Sequence, residues 1–242
     1  MELLKVRDAD ALSALAFEHV KARLLEKPDL VLGLATGSTP IGLYQRLVQA
    51  YRNGEISFAR ARSVNLDEYV GLPPNHDQSY AYFMRYHLFD HIDMPEDAHD
   101  IPNGMARDLE AECARYEAQI KRLGGVDLQI LGIGTNGHIG FNEPGTPFDS
   151  RTHVTTLTEE TRQANARFFN TPEDVPKQAI TMGLATIMES REIILLASGK
   201  SKQEAIRRLF QKEVSTDLPA SILTQHPRVT VIVDEEAGAL LP

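Results

Sequence analysis

The sequence predicts an α/β protein built on an open, doubly wound, mostly parallel sheet with helices on both faces. Three observations predict it. Short runs rich in leucine and β-branched residues recur along the chain, and amphipathic stretches of helical length separate them. Several runs, LVLGLA and EIILLA above all, are apolar without alternation, the mark of strands buried on both faces. Polar, glycine-rich loops follow the carboxyl ends of these runs, where open α/β sheets bind their ligands.

The chain starts on a strand, and residues 9–26 form the first amphipathic stretch. Residues 30–35 read as a buried strand and 40–52 as a helix, with Pro40 at a first position where a missing N–H costs nothing. Residues 62–66 form a strand that ends in acidic residues, while 78–91 and 109–123 are helices. A strand at 127–133 runs into a long glycine-rich loop, and strands at 192–197 and 228–233 flank a helix at 202–212. No repeat, low-complexity segment or linker divides the 242 residues, so residues 1–242 are expected to form a single domain. Two polar stretches, 71–77 and 134–152, interrupt the pattern. Loops of that length in a compact domain are more often functional than idle.

Apolar residues make up 42% and charged residues 24% of the chain, an ordinary globular mix. The length supports a core that needs neither metal nor disulfide. Cys113 is the single cysteine, so no internal disulfide forms and a reducing compartment fits. Glu2, Asp8 and Asp10 interrupt any signal-peptide core, and no apolar run approaches the roughly 20 residues of a membrane span. A net charge of -9 argues against a nucleic-acid surface, while a few local donors suffice for a small anionic ligand. The expectation is a cytoplasmic protein with neither membrane nor nucleic-acid partner.

Three segments carry chemistry. Thr36-Gly37-Ser38-Thr39-Pro40 follows a strand and opens a helix. Gly37 allows a tight turn, Ser38 or Thr39 is placed to cap the helix, and converging N–H groups make an anion site. The loop lacks the lysine of a Walker A motif, and an ordinary helix cap is the plain alternative. A second strand-to-helix turn, Gly199-Lys200-Ser201-Lys202, has Ile194 where a Walker motif needs glycine. Lys202 there opposes the helix dipole, which suits either a bound anion or a solvated lysine.

Asp67-Glu68 ends the strand at 62–66. A period of two sends adjacent side chains to opposite faces, so one carboxylate should face a pocket and act as general base. A solvated turn pair is the alternative. After the strand at 127–133, the pattern Gly132-x-Gly134-x-x-Gly137 imitates a dinucleotide fingerprint, but that fingerprint must open a helix. Gly140, Pro144, Gly145 and Pro147 forbid one. What remains is a polar loop with Asn136, His138 and Glu143, a histidine–carboxylate set suited to proton transfer near neutral pH. It is a poor zinc set, and a lone loop histidine is commonly a surface residue.

The loops LATGSTPIGLY, NLDEYVGL, GHIGFNEPGTPFDSRTH and NARFF resemble those of the glucosamine-6-phosphate deaminases in a short form without an extended C-terminal tail. The likeness spans residues 3–234 and is most specific over 132–152. The Gly-Ser-Thr loop is shared with relatives such as 6-phosphogluconolactonases. The resemblance implies a Rossmann-like fold and an isomerase/deaminase of amino-sugar catabolism, in the pathway of N-acetylglucosamine degradation. Its reaction takes glucosamine 6-phosphate to fructose 6-phosphate and ammonia without cofactor or metal, ending in hydrolysis of an imine. Asp67 matches the base that moves a proton between C2 and C1. His138 matches the ring-opening residue, with Glu143 oriented against it and Asn136 beside them. Thr36, Gly37, Ser38, Thr39, Arg167 and Lys202 match positions around the phosphate, with Arg167 on a lid spanning about residues 153–182.

Two departures qualify the resemblance. Many members have aspartate where this chain has Asn136, so a proton relay here leans on Glu143, while Asn136 orients His138 by hydrogen bonding. Longer members carry a tail linked with allosteric activation, and Arg151 and His153 match that site only in part. Simple saturation kinetics and a monomer or small homo-oligomer are therefore expected. Two rival functions share the fold, a phosphosugar lactonase and a sugar-phosphate-sensing effector domain. The sensor would need the phosphate loop without Asp67, His138 and Glu143, and no basic helix-turn-helix precedes the first strand here.

Overall fold

A computed structural model describes residues 1–242. β1 (Glu2–Val6) leads to α1 (Ala9–Glu26), β2 (Val31–Leu34), α2 (Ile41–Arg52) and β3 (Arg62–Asn65). After Leu66 the chain continues as β4 (Asp67–Tyr69), α3 (Tyr80–His87), β5 (His99–Asp100), α4 (Leu109–Arg122) and β6 (Leu128–Leu131). β7 (His153–Thr156), α5 (Glu159–Asn165), β8 (Gln178–Thr181) and α6 (Leu184–Met188) follow. The chain closes with β9 (Glu192–Ala197), α7 (Gln203–Phe210) and β10 (Val229–Asp234).

Seven strands form a fully parallel main sheet in the order β1-β10-β9-β6-β2-β3-β5. Alternate residues of its central strands divide between two cores. Leu32, Ile130, Ile194 and Ile232 pack with α1 and α2, whereas Leu131, Ile193, Leu195 and Val231 pack toward α4, α6 and α7. This two-sided burial explains the unbroken apolar runs, and each fully buried leucine or isoleucine contributes about 1.5–3 kcal/mol. No helix is long and apolar enough to cross a membrane.

The sequence did not disclose a second sheet. β4, β8 and β7 pair antiparallel in that order. Leu66 joins the two sheets: its N–H donates to the Leu34 carbonyl at 3.0 Å, and its carbonyl accepts from the Met182 N–H at 2.8 Å. The strand expected at 62–66 therefore changes sheets at its end, which carries Asp67 into the small sheet. Side-chain caps start α1, α3, α4 and α5, from Asp8, Ser79, Asp108 and Thr158. α2 has none, because Pro40 itself occupies the cap position in helical conformation. The expected capping by Ser38 or Thr39, with Pro40 one residue further in, is corrected accordingly.

Candidate active site

The chain reverses its direction of travel across the main sheet between β2 and β6. From β2 it moves outward to β3; from β6 it moves the other way to β9 and β10. Such a switch point opens a crevice beyond the carboxyl ends of the strands. The loop at 35–40 leaves β2 and the loop at 132–152 leaves β6, so these two segments flank it. β3 neighbours β2 and β9 neighbours β6, and the segments that follow them add Asp67 and Lys202 to the same edge.

Asp67 and Glu68 are both buried, at 7% and 3% exposure, so the solvated-pair alternative fails. They point to different tasks. Glu68 accepts the N–H groups of Tyr69, Tyr80 and Ala81, each at 2.9 Å, and so holds the start of α3. Burial pushes its carboxyl up to about 7 against the pull of those three donors. Asp67 accepts no hydrogen bond from the protein, and burial followed by the neighbouring Glu68 charge pushes it up to about 8. A cavity of about 240 Å³ lined by Glu68, Met84 and His99 excludes Asp67. Asp67 instead faces the loop after β6, whose Gly140 lies so close that an added Cβ would sit 3.8 Å from its Oδ2 and 2.8 Å from Thr181 Oγ1. Gly140 also has φ 57°, which favours glycine for a second reason.

That loop has no helix, and a hydrogen-bonded cluster gives it shape. His138 Nδ1 stands 3.5 Å from Glu143 Oε2. The Asn136 amide donates to the same oxygen at 3.1 Å, and its carbonyl oxygen accepts the backbone N–H of His138 at 3.2 Å. Asn136 thus orients the His138 backbone and the carboxylate, with no hydrogen bond to the ring. Burial pushes the Glu143 carboxyl up, but bonds from His138, Thr161 and Asn136 outweigh it and hold it below its ordinary range. The imidazole stands over Gly134, where an added Cβ would lie 2.4 Å from His138 Cε1.

The loop after β2 offers unused donors. Gly37 turns it with φ 93°, and no hydrogen bond within the protein occupies the N–H groups of Thr36, Gly37, Ser38 or Thr39. Behind it, the buried Tyr44 hydroxyl donates to the Ala35 carbonyl at 2.5 Å and accepts the Ala35 N–H at 3.2 Å. Lys202 lies in a tight turn just before α7 and donates to the Ile133 carbonyl at 2.6 Å. Burial first, and then the nearby Arg167 guanidinium, lowers its pKa. Arg167 itself is exposed on the turn after α5, over the Phe168 ring at 4.6 Å. Two cations close enough to repel one another suit an anion held between them.

Sequence reasoning missed Thr161, Gly134 and Tyr69. Thr161, buried on α5, donates its hydroxyl to Glu143 Oε1 at 2.6 Å. Asn165, one turn on, donates to the Tyr69 hydroxyl at 2.9 Å. Only the strict three-residue spacing of Thr158 and Thr161, a helix-cap pattern, was there to be read. The histidine loop's first glycines drew notice as part of a false fingerprint, whereas the ring packed on Gly134 is their structural reason. No group of three or more His, Cys, Asp or Glu side chains is placed to hold a metal ion.

Comparison with known proteins agrees with these loops. A family model for glucosamine-6-phosphate isomerases/6-phosphogluconolactonase matches residues 6–232. Glucosamine-6-phosphate deaminase of Geobacillus sp. (strain WCH70) is 56% identical over 242 residues, covering 100% of this chain and 96% of that one. Glucosamine-6-phosphate deaminase 1 of Bacillus subtilis (strain 168) is 52% identical, with 100% of both chains covered. A solved structure of a monomeric glucosamine-6-phosphate deaminase superposes with a TM-score of 0.98 at 52% identity, covering 99% of this chain and 100% of that one. The 6-phosphogluconolactonase of Thermotoga maritima, at 21% identity and a TM-score of 0.77 over 96% of this chain and 99% of its own, shares the fold alone. With a phosphate-type loop and a histidine–carboxylate loop at one switch point, and with this likeness over nearly its whole length, the chain belongs to the glucosamine-6-phosphate isomerase/6-phosphogluconolactonase family.

Proposed function

We propose that this protein is an enzyme that isomerises and deaminates glucosamine 6-phosphate to fructose 6-phosphate and ammonia. One observation carries the reading: a buried, unpartnered carboxylate, Asp67, faces the loop that bears the His138–Glu143 pair. Relatives at 52–56% identity carry the deaminase name across the whole chain, which favours this chemistry over lactone hydrolysis.

The phosphate binds the free N–H groups and hydroxyls of residues 36–39, with Lys202 and Arg167 supplying charge. Each charge-assisted hydrogen bond there is worth roughly 1.5–3 kcal/mol, and that remote binding energy holds C1 and C2 at the catalytic loop. His138 moves a proton from the anomeric hydroxyl to the ring oxygen, opening the pyranose. Glu143 steadies the imidazolium formed on the way. Asp67 takes the C2 proton while the aldehyde oxygen gains one, leaving an enolamine. It then returns the proton to C1. The resulting C2 imine adds water and releases ammonia, giving the ketose.

Residues 157–177, between β7 and β8, act as a lid that brings Arg167 toward the phosphate. The wider range of 153–182 includes β7 and β8 themselves, and the second sheet holds these in place, so the moving part is narrower. Arg151 is engaged by Glu189 and by Glu117, which leaves it little freedom to serve a regulatory anion, and hyperbolic kinetics follow. A monomer is the favoured state, as in the structurally similar deaminase. The phosphorylated substrate, which does not cross membranes unaided, places the work in the cytoplasm. The test incubates purified, chelator-treated protein with glucosamine 6-phosphate. Ammonia and fructose 6-phosphate should appear in equal amounts, and their absence would overturn the reading.

A further inference from the structure

α5 crosses above the histidine loop, and its contacts there are unusually directed. Thr158 caps the helix by accepting the Thr161 N–H at 3.1 Å, and its own hydroxyl donates to Thr161 Oγ1 at 3.1 Å. The Thr161 hydroxyl therefore already accepts one bond, and its single proton goes to Glu143 Oε1 at 2.6 Å. The other carboxylate oxygen, Oε2, takes the Asn136 amide at 3.1 Å and faces His138 Nδ1 at 3.5 Å. Thr161 Oγ1 also stands 3.5 Å from the same ring nitrogen. A hydroxyl with both roles assigned is a directional clamp: it fixes one carboxylate oxygen and so aims the other at the imidazole.

We infer that Thr161 is a positioning residue, supplied by the lid helix, that holds Glu143 in register with His138 for the ring-opening step. The inference rests on the role proposed above for the His138–Glu143 pair. Three features separate it from ordinary packing. Thr161 is 4% exposed, yet its hydroxyl is spent on a catalytic-loop carboxylate rather than on its own helix. A valine of the same shape would leave Glu143 Oε1 buried without a partner. The remaining links between α5 and the body, Asn165 to Tyr69 and Glu160 to Thr135 at 2.8 Å, hold the helix down but do not touch Glu143. Lifting α5 therefore removes the clamp, and ring opening is tied to lid position through one proton.

The test compares wild type, Thr161→Val and Thr161→Ser, with thermal unfolding measured for each. Thr161→Val should lower kcat about 10- to 100-fold, the size of one hydrogen bond to a charged group, with KM little changed. On the acid side of the Asp67 limb, the further downward break in its kcat profile should move to higher pH, because Glu143 loses a donor that favours its charged form. Thr161→Ser keeps the hydroxyl and should restore most of the rate and the wild-type profile. A wild-type rate and pH profile in Thr161→Val would overturn the inference while leaving the deaminase reading intact. Equal losses in both variants would also overturn it, since side-chain volume rather than the hydroxyl would then matter. Wild type that yields no ammonia would instead overturn the underlying function.

Discussion

Replacing Asp67 with asparagine should make the protein more stable at alkaline pH while removing its proposed base. Asp67 is 7% exposed, accepts no hydrogen bond, and lies beside Glu68, so its pKa rises from 3.8 to about 8. Between those values the native state holds a proton that the unfolded chain has released. Stability contributed by the protonated group is thus complete below about pH 4 and is lost as pH climbs through about 8. About four units at roughly 1.4 kcal/mol each set a ceiling of about 6 kcal/mol, and relaxation around the charge brings the expected difference to about 2–4 kcal/mol. Asparagine never ionises and escapes that loss. Urea unfolding of both proteins at pH 5, 7 and 8.5 measures it: the variant's advantage should grow steadily with pH. Parallel stability curves would refute the burial argument. The same variant should bind substrate yet fail to exchange the C2 proton with deuterated water, and normal exchange would remove Asp67 from the base role.

Other outcomes follow from the same geometry. In wild type, kcat/KM should rise with pH toward about 8, because the base works only when deprotonated; a flat profile from pH 6 to 8 would contradict this. His138→Gln should slow turnover of the cyclic substrate by roughly 10²–10⁴, and an unchanged rate would dismiss the ring-opening assignment. Gly134→Ala places a Cβ 2.4 Å from the His138 ring. The flexible ring can swing away, so the fold should lose only about 1–3 kcal/mol while kcat collapses; calorimetry beside kinetics separates the two. Ser38→Ala combined with Thr39→Val should raise KM about tenfold or more through lost phosphate bonds, with kcat affected less.

The main sheet was legible because its strands are buried on both faces, and continuous apolar runs such as 192–197 admit few other readings. The small sheet was not. β4, β7 and β8 have three or four residues each, too few for a period to emerge, and their sequences DEY, HVTT and QAIT mix polar with apolar positions. The alternation expected Asp67 and Glu68 to face apart, and they meet different surroundings, but the burial of both depends on α3 and the loop at 140, which no local pattern encodes. Among the candidate site residues, those in loops with odd glycines and prolines stood out. Thr161 did not, since a threonine within a short polar helix has the same look whether it faces water or a carboxylate. Its partner is 18 residues away, and only the packing of α5 over the loop reveals it. The turn after β2 stood out, but its helix cap was misread, because Pro40 takes the position where a side-chain cap would stand.

The shared residue Leu66 has a consequence for how the molecule fails. One of its backbone bonds belongs to the large sheet and the other reaches Met182 beside the small one, so Asp67 keeps its aim only while both are intact. Small sheets at a protein's margin open at lower cost than a central parallel sheet. In rising denaturant, activity should therefore vanish before the main sheet melts, and recover quickly on dilution because the central strands still serve as the template for realigning Asp67.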